Sequence, residues 1–217
     1  MNLRPAPAAV SVFLLAGTTV AALSSHAAAA PSGPAAAARQ ADDAPCDRTI
    51  EKNHTYKANG YSFRTDGQGR PERADAFNLK VVPAGRDTCA KKVGQMGGAG
   101  YHGGHLIAAS LNGVDMRYNL VPQNGTLNTG FYNHQVEGGT RKCIANGGQI
   151  PRYVVNAVYP TGTTGIIPDR FVLSITAKKT AERTIPLTIP NRALTDTEKK
   201  DFGKTLDDGF KGAGCKT

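Results

Sequence analysis

Apolar and polar residues alternate over residues 55–64 (TYKANGYSFR) and again over residues 74–82 (ADAFNLKVV), the period-two pattern of half-buried strands. TDGQGRPE lies between them and is dense in turn formers, so the pair reads as a β-hairpin. Residues 83–100 are rich in glycine and lysine and read as a loop. The run His105 to Leu111 reads as a strand or strand end, and Tyr118 to Val121 as the next strand, stopped by Pro122. Helical character follows from Leu127 to about Val136, cut short by Gly138-Gly139. Residues 152–159 (RYVVNAVY) and 170–177 (RFVLSITA) are rich in β-branched and aromatic side chains and predict a second hairpin. A charged helix over residues 195–210, with Thr195 or Asp196 as its N-cap, ends the chain. Strands outnumber helices, and a helix falls in the middle. The class expected is α+β, with an antiparallel sheet and a C-terminal helix.

The first thirty residues follow a different pattern. Arg4 supplies a positive start, residues 10–23 an apolar stretch too short to span a bilayer, and Ala27 to Ala30 a small-residue cleavage site. That order reads as a secretory signal peptide. Residues 31–44 are mostly Ala, Pro, Ser and Gly, a composition that cannot bury enough apolar surface to order itself. The folded domain is therefore expected over residues 45–217, exported, with no membrane association once the leader is removed. Four cysteines, Cys46, Cys89, Cys143 and Cys215, fit an oxidising compartment. They allow three pairings, of which the hairpin expected between Cys46 and Cys89 favours Cys46–Cys89 with Cys143–Cys215.

The formal net charge is +9, and losing Arg4 with the leader leaves +8. Such an excess does not choose a fold but biases partners toward polyanions. No glycine-rich stretch is followed by GK[ST], which argues against a nucleotide-binding loop.

The informative block is GGHLIAASLNG at residues 103–113, followed by YNLVPQNGTLNTGFYNHQVE at residues 118–137. It holds a histidine near a strand end, two asparagines nine residues apart (Asn119 and Asn128), and a glutamate, Glu137. These residue types suit metal-assisted attack on a phosphodiester. A neutral imidazole deprotonates water near pH 7. A hard divalent cation neutralises charge on the phosphate and the leaving oxygen, and Mg²⁺ needs few protein oxygens because it keeps several waters. Gly103 and Gly104 would let a phosphate backbone come close to His105.

The block resembles the DNA/RNA non-specific endonucleases, whose members carry a ββα-metal finger. The resemblance rests on Gly103-Gly104-His105-Leu106-Ile107-Ala108, on Asn119-Leu120-Val121-Pro122-Gln123, and on Leu127-Asn128-Thr129-Gly130. It extends over roughly residues 61–177. It implies an antiparallel sheet with an inserted ββα-metal finger and an endonuclease acting on DNA and RNA with little sequence preference. It also implies Mg²⁺ as cofactor, with Mn²⁺ able to substitute. His105 would be the general base and Asn128 the direct metal ligand. Asn119 would orient the histidine or the phosphate. Glu137 would hold metal-bound water, and Arg141 would stabilise charge on the phosphorane. In two places the chain departs from the family pattern. The family glutamate stands eight residues after the metal asparagine, whereas Glu137 stands nine after Asn128. Gly103 also replaces a common arginine, for which Arg117 is the substitute offered by proximity.

Two other classes compete. A basic binding protein without catalysis would explain the export and the charge but not the ordered polar block. It would also lean on aromatic platforms, and Phe, Trp and Tyr make up 6% of the chain with no tryptophan. A zinc site of His102, His105 and His134 would suit a different hydrolase. The pairs Lys91-Lys92 and Arg141-Lys142 are solvated surface in one reading and phosphate contacts in the other. His54 is assigned no role.

Overall fold

The computed structural model describes residues 46–85 and 88–216, so the expected leader and Ala/Pro-rich arm lie outside the described residues. The strands are β1 (Thr55–Ala58), β2 (Tyr61–Thr65), β3 (Pro71–Phe77), β4 (Tyr101–His105), β5 (Leu120–Asn124), β6 (Gln149–Val158), β7 (Arg170–Lys178) and β8 (Glu182–Pro190). Six of them form one antiparallel sheet in the order β1-β2-β3-β6-β7-β8, while β4 and β5 pair separately. The class is α+β, as the strand and helix pattern predicts.

Residues 55–64 are two strands rather than one. Asn59 and Gly60 both have positive φ, 52° and 83°, the geometry of a two-residue hairpin turn whose twist matches the flanking strands. The turn reverses the chain so that Thr55 faces Arg64. The expected hairpin between the first two apolar runs is present as β2–β3, and the second as β6–β7. The sheet gains β8 (ERTIPLTIP), whose prolines argue against a central strand. Its position at the sheet edge leaves one side of its backbone without a ladder, which is where proline is tolerated.

One face of the sheet is the core. Phe171, Leu173, Ile175 and Ala177 alternate inward along β7, and Ile185, Leu187 and Ile189 do the same along β8. Each large side chain so buried contributes roughly 1.5–3 kcal/mol of transfer free energy. Against that face pack Leu106, Ile107, Tyr118 and Val121 from the segments around β4 and β5, with Tyr132 and Val136 from the following helix.

The loop expected over residues 83–100 instead contains α1 (Thr88–Gly97). Its first N–H groups find an acceptor far along the chain. The Asp115 carboxylate accepts hydrogen bonds from the backbone N–H groups of Thr88, Cys89 and Ala90 at 2.6, 2.8 and 2.9 Å. Pro122 does not stop β5 either, since β5 belongs to a two-stranded ladder and has no second partner strand to feed with N–H donors.

After β5 the chain turns through α2 (Gly125–Leu127) into a π-helical segment, Asn128–Glu137. It continues without a break into α3 (Gly138–Ala145). Strands β4 and β5 with this helix form the ββα unit. The C-terminal helix α4 (Asp196–Gly212) begins as expected, on a capping box in which Thr195 and Glu198 satisfy each other's backbone N–H groups.

Two disulfides, Cys46–Cys89 and Cys143–Cys215, tie the N-terminal segment to α1 and α3 to the chain end. The second closes a separation of 72 residues. Replacing both of its cysteines with alanine should cost about 4 kcal/mol through unfolded-state entropy. The effect would be read as a lower urea midpoint, with a steeper slope as the freed unfolded chain exposes more surface. A loss below about 1 kcal/mol would mean that the α3–α4 packing holds without the cross-link.

Candidate active site

His105 closes β4 opposite Leu120, and its imidazole is half-buried. The glycines before it are there for packing rather than for substrate access. A Cβ on Gly103 would lie 2.0 Å from the Ala90 carbonyl oxygen of α1, and one on Gly104 would lie 2.0 Å from Oε1 of Gln123. The expectation that they clear room for a phosphate backbone is therefore corrected: α1 and Gln123 already occupy that space.

The segment leaving His105 is fixed by Asn119. Its Oδ1 accepts from the Ile107 N–H at 2.9 Å, and its Nδ2 donates to the carbonyls of Ile107 and Val114 at 2.9 Å each. The Asn119 backbone carbonyl accepts from Leu106 at 2.8 Å. Asn119 is fully buried, so it touches the strand end that bears the histidine and presents no surface to a phosphate. Arg117 is corrected in the same way. It is wholly buried and donates to the backbone carbonyls of Asp47, Arg48 and Leu120, which anchors the N-terminal segment.

Asn128 opens the π-helical segment and Glu137 closes it. Over nine residues an α-helix rotates a side chain by roughly half a turn away from its starting face. Regular helical spacing does not relate the two here, because the backbone leaves helical geometry between them. A kink at Gly130 (φ −93°, ψ −107°) lies between them. Gly138-Gly139 do not end the helix. A Cβ on Gly139 would lie 2.9 Å from Cε2 of Phe210, so this glycine lets α4 pack closely while the helix runs on to Arg141.

Arg141 reaches back along the helix to Glu137, with Nη1 3.4 Å from Oε2. Nη1 also donates to Oγ of Ser110 at 2.9 Å, and Nη2 to the backbone oxygen and Oδ1 of Asn133 at 3.2 Å each. Four hydrogen bonds thus hold the guanidinium within the protein. Through Ser110 it joins the segment after His105 to the helix that begins at Asn128. Ser110 and Asn133 carry no sequence signal for this, since Ser110 lies 31 residues from Arg141.

Glu137 is 13% exposed, and burial pushes its carboxyl up from 4.5 to about 7, only partly offset by Arg141. The buried Tyr132 and Tyr153 lie near it, and burial raises both hydroxyls, with the Glu137 charge adding to each. A raised folded-state pKa favours the protonated form in the fold. In EDTA, the Glu137 contribution to stability should therefore be fully present below about pH 4.5 and be lost as pH rises through 7, by on the order of 3 kcal/mol. Glu137→Gln should remove that loss. Identical pH profiles for the melting temperatures of the two proteins would refute the burial argument.

His102 and His134 are exposed, and among the described residues no three His, Cys, Asp or Glu side chains converge as a metal cluster. The three-histidine zinc site is therefore not formed. The donors that remain are hard oxygens: the Glu137 carboxylate and the amide of half-buried Asn128, which has no protein hydrogen-bond partner among the described residues. Such a set fits Mg²⁺ better than a thiophilic or imidazole-seeking ion.

Residues 52–178, more than half of the chain, match the family model described as DNA/RNA non-specific endonuclease. No curated protein sequence matches the chain. Nine chains of solved structures do. One is Sda1 nuclease with a bound zinc ion, at 21% identity and a TM-score of 0.36, over 42% of this chain and 38% of that one. Another comes from the EndoG/EndoGI complex, which addresses EndoG inhibition, at 15% identity and a TM-score of 0.47, over 77% and 86%. The chain thus spans well under half the length of the first.

Proposed function

The chain belongs to the DNA/RNA non-specific endonuclease family, and on that premise we propose that it is an exported, Mg²⁺-dependent endonuclease cleaving DNA and RNA with little base preference. The observation that carries this reading is that His105, Asn119, Asn128 and Glu137 all fall within the matched residues and lie on one ββα unit and its helix. Export is supported by the leader pattern of residues 1–30 and by the two disulfides.

In this mechanism His105 accepts a proton from the attacking water. The hydroxide forms a new P–O bond while the bond to the leaving oxygen breaks; that oxygen takes up a proton from solvent, giving one phosphate monoester and one hydroxyl end. A divalent cation, when bound, neutralises charge on the phosphate and the leaving oxygen. Asn128 would hold that ion through its amide oxygen, and Glu137 through water. Asn119 keeps the histidine-bearing strand end in place through Ile107. Arg141, with most of its donors committed to Ser110, Asn133 and Glu137, positions the Glu137 carboxylate and leaves only Nε–H for the phosphate.

Digestion of plasmid and RNA by the mature protein, with Mg²⁺ and with EDTA, tests the reading. Cleavage of both that stops in EDTA is expected. A protein that binds DNA and cuts neither polymer with any divalent ion would instead be a basic binding protein.

A further inference from the structure

A groove of about 650 Å³ runs between the kinked π-helical segment and α4. It begins at Gly130, two residues past Asn128, where the space beside the Cα is open. Phe131 and His134 line it from the helix, and Lys199, Lys200, Lys204 and Lys211 from α4. A second pocket of about 320 Å³ shares His134 and Lys211 with it and reaches Lys142.

The charges do not cancel. Asp207 and Asp208 also line the groove; Lys204 pairs with Asp208, and Lys199 with Asp196 at 2.9 Å. Lys200 makes no salt bridge among the described residues, nor does Lys211, although Lys211 lies close enough to Asp208 to lower its carboxyl. Lys142, exposed on α3, makes none either. Three unpaired cations therefore flank a channel with one unpaired carboxylate, Asp207. From Lys200 to Lys211 the helix rises about 16 Å. One strand of a duplex presents roughly five phosphates over that length.

We infer that this groove is the track for the phosphodiester backbone of the substrate on the Asn128 side of the scissile bond, with Lys200, Lys211 and Lys142 as its phosphate contacts. The inference rests on the endonuclease reading, which it deepens by saying which face the substrate follows. The track carries no base recognition, because its lining offers ammonium groups and a buried aromatic rather than a groove-reading element.

The test is the affinity for a fluorescent oligonucleotide in EDTA, measured by anisotropy from 50 to 300 mM NaCl. Lys200→Ala/Lys211→Ala should weaken binding roughly 10-fold or more and reduce the slope of log K against log salt by about 2. Lys57→Ala/Lys80→Ala, which removes the same charge from exposed positions elsewhere, should leave the slope within about 0.5 of wild type. Equal effects of the two pairs, or no effect of the first, would overturn the inference. Plasmid cleavage in Mg²⁺ by wild type is scored separately. Cutting with an unchanged slope in the groove variant would sink the track and leave the endonuclease standing. A changed slope without any cutting would sink the endonuclease and leave the groove as a polyanion site.

Discussion

His105→Ala should lower turnover on plasmid DNA by roughly 10²- to 10⁴-fold while leaving the fold intact, the usual contribution of a positioned general base. The fold should survive because the β4–β5 ladder at this position is backbone pairing with Leu120, and Asn119 fixes the next residues through main-chain groups. The loss should appear in kcat rather than in DNA affinity. Added imidazole should restore part of the rate. A variant that keeps more than about a third of wild-type turnover would remove His105 from the mechanism, since general-base contributions are far larger than that.

Asn128→Ala should be almost as damaging, by roughly 10³-fold at millimolar Mg²⁺, because several kcal/mol of charge stabilisation depend on the ion. Its signature differs from that of His105→Ala. The Mg²⁺ concentration needed for half-maximal rate should rise steeply, and Asn128→Asp, which keeps an oxygen ligand, should recover much of the activity. The fold is expected to tolerate alanine, as Asn128 already has right-handed helical dihedrals and its side chain bonds to no protein group among the described residues. Calorimetric titration of Mg²⁺ into the metal-depleted protein checks binding apart from turnover. Unaltered Mg²⁺ binding in Asn128→Ala would place the ion elsewhere, and Glu137 would be the next residue to replace.

Features whose cause is local were legible from residue order. The β6–β7 hairpin follows from β-branched runs separated by turn residues, and the start of α4 from Thr195 with Glu198 three residues on. The Asn-Gly turn at residues 59–60 is equally local, but the apolar alternation continues through it and masks it. Helix α1 was hidden for the opposite reason: its cap, Asp115, lies 27 residues beyond Thr88. Gly138-Gly139 read as a helix stop because glycine weakens an isolated helix, a penalty that packing against Phe210 outweighs.

The chemistry-bearing residues follow the same division. Residue order by itself determined that a histidine at a strand end, an asparagine after Leu127 and a glutamate nine residues further share one short stretch, and that the chain is basic and disulfide-bonded. Those facts depend on residue identity and near spacing, which do not change on folding. Only the tertiary structure decided that the glycines before His105 carry packing, that Arg117 is a buried anchor, that Arg141 is clamped by Ser110 and Asn133, and that a lysine-lined groove opens at Gly130. Each of these depends on atoms brought together from distant parts of the chain, and burial determines which donors stay free for substrate.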